Sequence, residues 1–433
     1  MRELKDSGVE WIGEIPKDWS TIRLKYLLTN KKNSIKVGPF GSQIKGNDFV
    51  DEGVPVYTQR TVLDDDFING DAFITKEKYS LLKGFEVEPL DFLITTRGSI
   101  GRVAIAPEDV RPGIIHPCII KFTIDRNIYN EHLLKYIFNG SDIILEQLVL
   151  ASNATTIPVV YSEPLKNVII PIAPYNQQQK IVRYLNEEFT KINAVIKKQQ
   201  AIIEKLKEYK LSIITEAVIR GLDKKIELKD SGNKYLGQVP IHWSVVKFGR
   251  IATIKSNLVS PVEYQDYPQI SPDNIDKGSG KLLGYNTVEE SGVISWNHLF
   301  YTGQIIYSKI RPLLDKVIIA PFDGLCSADM YPIETDCNKF FIVFVILSAY
   351  FHAQVALVTE TRVKMPKINQ TELSNIVVAI PPVNEQNQIA ECLRHKCERV
   401  DKIIEQRGKI IETLQKYKKS IVYEVVTGKR EVL

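Results

Sequence analysis

An internal repeat is the feature that most constrains the fold of this chain. Lys5–Trp19, KDSGVEWIGEIPKDW, returns 224 residues later as Lys229–Trp243, KDSGNKYLGQVPIHW. Ile172–Gln177 matches Ile380–Glu385 at an offset of 208, which then stays constant along a long segment. The ends of the two copies agree well and their middles agree poorly. We therefore expect one common frame that holds two different inserts.

Each copy contains the same parts in the same order. Short Val, Ile, Tyr and Phe runs, cut by Gly, Pro and Asp, predict strands and turns. A helix-like stretch follows, at Glu131–Leu150 in copy one and at Lys339–Leu357 in copy two. The resulting prediction is an α+β fold with two tandem globular domains and two long helices, with boundaries at 1–174, 175–221, 222–382 and 383–433.

Each copy ends in one long helical pattern with a heptad seam of apolar residues. Each pattern spans about 40 residues, or roughly 60 Å at 1.5 Å per residue, and such a seam needs a partner. We expect the two helices to pair antiparallel, as a rod with pseudo-twofold symmetry and a domain at each end. The alternative is that each helix packs on its own domain. The predicted interface is Leu185, Ile192, Ile196, Ile203, Leu206 and Ile213 with Leu393, Val400, Ile404, Ile411, Leu414 and Ile421.

Composition excludes several classes of protein. The 433 residues suffice for two to four domains, and 44% hydrophobic with 25% charged residues is typical of a globular chain. A net charge of +4 limits any nucleic-acid surface to local basic patches. Five scattered cysteines do not form a disulfide framework, and the start has no apolar signal segment. The apolar run Phe340–Ala349 is too short for a membrane span, so we expect a buried helix in a cytoplasmic protein.

The sequence contains no convincing catalytic or metal-binding pattern. None of the six histidines has a metal-ligand spacing, and a phosphate-binding Gly-rich loop is absent. Cys392, His395 and Cys397 are close together, but they lie in the second long helix, where packing is the simpler explanation. We therefore expect a non-catalytic chain without a metal or cofactor of its own.

Several motifs together resemble one known family, the specificity subunits of type I restriction–modification systems. They are the repeated opening DSGxx(W/Y)(I/L)Gx(I/V)PxxW, the turn Gly38–Ser42, the strand end Ser308–Arg311 and the helix start Pro381–Gln386. The resemblance covers essentially the whole chain, twice. Copy one departs from it at Ala173–Gln178, which lacks one proline and the glutamate of the helix start.

The resemblance implies a function. Each variable domain would read one half of a split, asymmetric double-stranded DNA target, while the helices set the spacer and dock two methyltransferase subunits. Motor–nuclease subunits would join for cleavage. S-adenosylmethionine, ATP and Mg²⁺ would belong to those partner subunits, and this chain would be no enzyme.

Turns between strands are the expected carriers of the DNA contacts. Lys and Arg suit phosphates, while Asn and Gln suit adenine and Arg suits guanine in the major groove. For each turn the alternative is an ordinary solvated loop. The candidate residues are Lys36, Ser42, Gln43, Lys45, Thr58, Gln59, Arg60, Arg97, Ser99, Thr155 and Thr156 in copy one, and Ser271, Asp273, Asn274, Ser308, Lys309, Arg311, Arg362, Lys364 and Lys367 in copy two.

Two other functions fit parts of the pattern. A paired-helix adaptor would bind no DNA at any salt concentration, whereas a DNA reader would lose affinity steeply as salt rises. A single-chain fused methylase or nuclease would need catalytic motifs that this sequence lacks.

Overall fold

The chain folds into two compact units, each built around one copy of the repeat. The computed structural model describes residues 3–31, 33–151, 159–359, 362 and 366–432. Unit 1 is Met1–Lys198 with Lys409–Leu433, and unit 2 is Gln199–Gly408. The end of the last helix therefore belongs to the unit that contains the first repeat copy, as helix pairing predicts.

The strands of unit 1 are β1 (Leu4–Asp6), β2 (Glu14–Pro16), β3 (Ser20–Arg23), β4 (Ile35–Val37), β5 (Phe49–Val50), β6 (Val54–Tyr57), β7 (Phe73–Ile74), β8 (Phe92–Thr95), β9 (Val103–Ile105), β10 (Ile114–Ile115), β11 (Ile119–Phe122) and β12 (Ile169–Ile172). Its helices are α1 (Gln59–Asp64), α2 (Lys76–Leu81), α3 (Glu131–Gly140), α4 (Ile143–Ala151) and α5 (Ser162–Asn167). The long helix α6 (Tyr175–Arg220) begins in unit 1 and ends in unit 2.

The strands of unit 2 are β13 (Leu228–Asp230), β14 (Gln238–Pro240), β15 (Ser244–Lys247), β16 (Thr253–Ile254), β17 (Leu258–Val259), β18 (Pro268–Ile270), β19 (Asn286–Thr287), β20 (Asn297–Phe300), β21 (Ile305–Ser308), β22 (Val317–Ile319), β23 (Gly324–Cys326), β24 (Met330–Glu334) and β25 (Val377–Ile380). Its helices are α7 (Val288–Ser291), α8 (Lys339–Ile346), α9 (Ala349–Thr359) and α10 (Gln370–Ser374). The second long helix, α11 (Val383–Val426), begins in unit 2 and ends in unit 1.

One four-stranded sheet is the same in both units, and a second sheet is shared only in part. Unit 1 has the antiparallel order β4-β11-β8-β9, and unit 2 has the matching order β16-β24-β21-β22. Both second sheets contain one parallel pair, β6 with β10 and β18 with β23. An antiparallel third strand follows in both, giving the common order β10-β6-β7 and β23-β18-β19. The outer strands differ: β5 pairs with β7 in unit 1, whereas β20 and β17 extend the sheet beyond β23 in unit 2. The poorly matching middles of the repeat thus form these second sheets, while the shared sheet packs on the helices in each main core.

The predicted core helices are each broken in two. The sequence predicts single helices at Glu131–Leu150 and Lys339–Leu357, whereas the structure has α3 and α4 in unit 1 and α8 and α9 in unit 2. The Ser141 hydroxyl donates to the Ile137 carbonyl at 2.7 Å, and the Ser348 hydroxyl donates to the Val345 carbonyl at 2.6 Å. Such backward bonds bend helices, so a serine at each break explains the difference. The apolar run Phe340–Ala349 is largely buried at this bend, as the sequence predicts.

The long helices pack against each other antiparallel within each unit. Leu185, Ile192 and Ile421 are buried in the core of unit 1, and Leu393 and Val400 are buried in unit 2. The other predicted seam residues are half-buried: Ile196, Ile203, Leu206, Ile213, Ile404, Ile411 and Leu414.

Polar side chains interrupt the seam and bond across the helix pair. In unit 2, Lys210 Nζ lies 2.8 Å from Asp401 Oδ1, and Arg407 Nη1 donates to Gln199 Oε1 at 3.3 Å. In unit 1, Lys418 Nζ donates to Asn193 Oδ1 at 2.9 Å. Because a shifted register would leave these groups unpaired, they specify the helix alignment.

A repeated glutamine ties the start of each long helix to a core helix. The Gln178 side chain accepts from the Asn130 backbone N–H at 2.8 Å and donates to the Ala173 carbonyl at 2.8 Å. Gln386 does the same with Asn338 at 2.9 Å and Pro381 at 2.9 Å. Both glutamines are buried. This contact explains why the glutamine of the helix-start motif occurs in both copies.

The residue before that glutamine holds the buried tryptophan of the repeated opening. Trp243 Nε1 donates to Glu385 Oε2 at 2.9 Å, and Trp19 Nε1 donates to Gln177 Oε1 at 2.9 Å. The glutamine of copy one therefore replaces the missing glutamate as an acceptor, without any change of architecture.

We expect Glu385→Ala to destabilise unit 2 by about 1–3 kcal/mol, because it leaves the buried Trp243 N–H without an acceptor. The matched control is Glu385→Gln, which copies Gln177 and keeps the acceptor. Urea unfolding of the full chain measures both variants. Equal losses for the alanine and glutamine variants would contradict this role of Glu385.

Among the residues that the structure describes, no single helix has both the length and the apolarity of a membrane span.

Candidate nucleic-acid interface

Three of the predicted segments of unit 1 lie around one turn, His116–Cys118. The His116 N–H donates to the Tyr57 carbonyl at 3.0 Å, directly before the Thr58–Thr61 segment. The Thr96 N–H donates to the Cys118 carbonyl at 3.1 Å, and the Gly38 N–H donates to the Ile119 carbonyl at 2.9 Å. We call Gly38–Ser42, Thr58–Thr61 and Thr96–Ser99 together turn cluster 1.

Unit 2 builds the equivalent arrangement around Ser327–Asp329. The Ser327 N–H donates to the Ile270 carbonyl, and the Lys309 N–H donates to the Asp329 carbonyl, each at 2.9 Å. The Ile368 N–H then donates to the Lys309 carbonyl at 2.9 Å, which brings Lys367 to the same place. We call Ser271–Asn274, Ser308–Arg311 and Lys367–Ile368 together turn cluster 2.

The backbone of turn cluster 2 adopts a left-handed conformation at Arg311. Its φ is 45°, and that of Asp315 is 48°. The equivalent positions in unit 1 are Gly98 and Gly101, with φ of 65° and 77°. Left-handed non-glycine residues cost free energy and concentrate at functional sites. Unit 2 therefore carries an arginine where the loop conformation alone favours glycine.

Some candidate side chains are available to a ligand. Among the described residues, they form no ion pair or side-chain hydrogen bond, and they are exposed or half-exposed: Ser42, Lys45, Gln59, Arg97, Ser99, Lys309 and Arg311. Gln59 also lies next to the Gly98 turn, since a Cβ at Gly98 would be 3.3 Å from its Nε2. Both turn clusters thus present polar and cationic tips.

Other candidates in turn cluster 1, or directly beside it, form hydrogen bonds and ion pairs within the protein. Thr58 Oγ1 accepts from the Arg60 N–H at 3.2 Å at the start of α1 and donates to Asp71 at 2.8 Å. Gln43 Oε1 accepts from the Phe40 N–H at 3.3 Å. Arg60 pairs with Asp64 at 3.3 Å on an exposed face, a weak pair that a ligand can replace. Near this cluster, Lys36 lies over the Phe85 ring at 4.9 Å.

In turn cluster 2, several candidate side chains likewise form hydrogen bonds within the protein. Asn274 Oδ1 accepts from the Ser271 N–H at 2.7 Å and from the Ser271 hydroxyl at 2.8 Å. The buried Ser308 hydroxyl donates to the Ile310 carbonyl at 2.9 Å, so it supports the loop from inside. These contacts position the backbone of the cluster.

The remaining charged candidates of unit 2 form ion pairs. Lys367 Nζ lies 2.8 Å from Asp329 Oδ1, and Arg362 pairs with Glu372. The exposed Asp273 lies 3.7 Å from Lys316 Nζ. Thr155, Thr156 and Lys364 lie outside the described residues.

Sequence reasoning missed His298 and Tyr331, which lie beside Lys309 in unit 2. They belong to strands β20 and β24, and only strand pairing brings them to turn cluster 2. No local sequence signal distinguishes them from other strand residues. Within the described ranges, no group of three or more His, Cys, Asp or Glu residues is arranged to hold a metal ion.

Comparison with known proteins agrees with this architecture. The family model for the type I restriction modification DNA specificity domain matches residues 16–209 and 240–416. The chain is 31% identical over 333 residues to the type I restriction enzyme EcoDI specificity subunit of Escherichia coli, covering 73% of this chain and 72% of that one. It is 25% identical to the putative type I restriction enzyme MjaX specificity subunit of Methanocaldococcus jannaschii, over 97% and 96% of the two chains.

A solved structure has the same fold. One chain of "Structural basis underlying complex assembly and conformational transition of the type I R-M system" superposes with a TM-score of 0.68 at 14% identity, over 96% of this chain and 99% of that one.

The chain therefore belongs to the type I restriction–modification DNA specificity family. Within that family it is the DNA specificity subunit of a type I restriction–modification system and is itself non-catalytic. This membership confirms the predicted family, fold class and general function, and it argues against a DNA-free adaptor.

Proposed function

We propose that each unit binds one half of a split DNA target through its turn cluster. The observation that carries this proposal is that the two turn clusters share their backbone hydrogen bonds but present different side chains. The same backbone hydrogen bonds hold both clusters, at Thr96 and Cys118 in unit 1 and at Lys309 and Asp329 in unit 2. The side chains of the two turn clusters differ, so the two half-sites differ in sequence and the target is asymmetric.

The chemistry of the available side chains divides the work. Arg97 and Arg311 present guanidinium groups, which suit guanine O6 and N7 or a phosphate, and Gln59 suits adenine N6 and N7. Lys45 suits the DNA backbone, which contributes affinity without sequence choice. The internally bonded Thr58, Ser271, Asn274 and Ser308 keep these groups in place.

The remaining parts of the proposal concern the domain boundaries and the partner subunits. We propose that the globular domains are 1–174 and 222–382, and that the helical segments 175–221 and 383–433 set the spacing of the half-sites. Two methyltransferase subunits bind along the helices, and motor–nuclease subunits join them on double-stranded DNA in the cytoplasm. S-adenosylmethionine, ATP and Mg²⁺ act in those subunits.

Methylome sequencing of a host that carries the whole complex tests the proposal. We expect a bipartite methylated motif with two unlike halves and a fixed spacer. Arg97→Ala in unit 1 should relax one half of that motif only, because its guanidinium belongs to a single turn cluster. The matched control is Lys76→Ala, an exposed lysine of unit 1 outside the cluster, which should leave the motif unchanged. A continuous or palindromic motif, or relaxation of both halves by Arg97→Ala, would contradict two independent readers.

A further inference from the structure

A cavity of about 440 Å³ lies beside turn cluster 2 in unit 2. Its walls include His298, Lys309 and Tyr331, and its rim includes Gln370 and Thr371. None of its nine lining residues, all in the described part of the chain, is an aspartate or glutamate. We call this space the Lys309 cavity.

Lys309 supplies a positive charge that no neighbouring carboxylate neutralises. Its ammonium lies 5.1 Å from the centre of the Tyr331 ring, and among the described residues it has no ion-pair partner. Two acidic residues near Tyr331, Asp329 and Glu372, already pair with Lys367 and Arg362. A compact ammonium held over an aromatic ring is suited to bind an anion as a point charge.

His298 adds an unused hydrogen-bonding group. The side chain is buried, and within the described ranges its Nδ1 has no hydrogen-bond partner. Burial, and then the charge of Lys309, lower the pKa of His298, so the imidazole is neutral at neutral pH. A neutral imidazole carries one N–H, for which a phosphate oxygen is an acceptor.

Unit 1 differs at this position. The position equivalent to Lys309 is Thr96, whose hydroxyl donates to the Cys118 carbonyl at 2.9 Å. Unit 2 therefore has a lysine where unit 1 has a threonine, although the loop around it has the same backbone hydrogen bonds in both units.

We infer that the Lys309 cavity binds one backbone phosphate of the DNA, with Lys309 and His298 as its ligands. This inference rests on the proposed function and deepens it. It assigns Lys309 to a sequence-independent contact beside Arg311, whose guanidinium remains free for a base.

Duplexes with single methylphosphonate substitutions, which remove the charge of one phosphate, test the assignment together with Lys309→Gln. We expect Lys309→Gln to lower affinity by about tenfold for target and unrelated duplexes alike, and to reduce the salt slope by about one. Neutralising one particular phosphate should weaken the wild type but not Lys309→Gln, since both changes remove the same contact. The matched control is Lys247→Gln, which removes a lysine of unit 2 outside the cavity. In this variant each methylphosphonate should weaken DNA binding by the same factor as in the wild type.

His298→Asn provides a second variant. Its DNA affinity should be insensitive to neutralisation of the same phosphate as that of Lys309→Gln. Urea unfolding of each variant separates a loss of fold from a loss of contact. The inference would be overturned if the effects of Lys309→Gln and of the methylphosphonate on DNA affinity were additive at every phosphate. It would also be overturned if Lys309→Gln lowered the affinity for the target sequence only. Stronger inhibition by inorganic phosphate than by chloride at equal ionic strength, absent in Lys309→Gln, would support the inference, because free phosphate would then compete with the DNA phosphate for the cavity. If the wild type bound no DNA, the proposed function itself would fail.

Discussion

Replacing Asp91 by alanine is expected to destabilise unit 1 by about 3–5 kcal/mol, because the change leaves a buried lysine without its partner. Lys121 Nζ lies 2.8 Å from Asp91 Oδ2, and the two side chains are 8% and 0% exposed. Asp91 also accepts from the Glu88 N–H at 2.9 Å and from the Thr123 hydroxyl. Its removal therefore leaves three donors without an acceptor in the core of unit 1.

Unit 2 offers the design for a compensating variant. Gln304 occupies the position of Asp91 and accepts from the Tyr301 N–H at 2.9 Å, the counterpart of the Glu88 bond. The double variant Asp91→Gln with Lys121→Met keeps an acceptor for the Glu88 N–H and removes both buried charges, so it should recover most of the lost stability.

Urea unfolding of the full chain measures the loss, and hydrogen exchange locates it in unit 1. Exposed ion pairs typically contribute less than about 1 kcal/mol to the free energy of unfolding. A loss of that size or smaller for Asp91→Ala would show that this ion pair is not effectively buried.

Arg311→Gly is expected to lower affinity for the target by about 1–3 kcal/mol without any loss of fold stability. The guanidinium is exposed and, among the described residues, has no ion-pair partner. The backbone at this position has a φ of 45°, which glycine adopts without the steric cost of a side chain. The substitution therefore removes the contact while relieving the backbone, and stability should stay equal or rise by up to about 1 kcal/mol.

Competition binding against duplexes with each base changed in turn measures the effect. If Arg311 reads a guanine, the variant loses discrimination at that one position; an equal loss on all sequences would reassign it to a phosphate. Asp315→Gly is the control for loop conformation, because it relieves the neighbouring left-handed residue, φ 48°, without removing a cation; it also removes the partner of His352, whose Nδ1 lies 2.8 Å from Asp315 Oδ2. A fall in DNA affinity for Asp315→Gly as large as that for Arg311→Gly would show that loop conformation, and not the guanidinium, matters.

Strand equivalence between the copies was predictable because both copies follow the same pattern over many residues. The offset of 213 that aligns Asp91–Thr96 with Gln304–Lys309 is realised atom by atom, in the bonds of Thr96 to Cys118 and of Lys309 to Asp329. The apolar seams predicted the antiparallel pairing in the same way. The site residues themselves remain predictions, which the experiments above test.

The amino-acid sequence by itself determined the repeated frame, the α+β class, the two long helices and the family, because each depends on residue patterns that recur along the chain. Only the tertiary structure decided where the core helices break, which candidate side chains are bonded internally, and that His298 lies beside Lys309. Those features depend on partners far apart in the chain, such as Lys367 with Asp329, 38 residues away. Local spacing contains no record of such contacts, since strand pairing and packing create them only in the folded state.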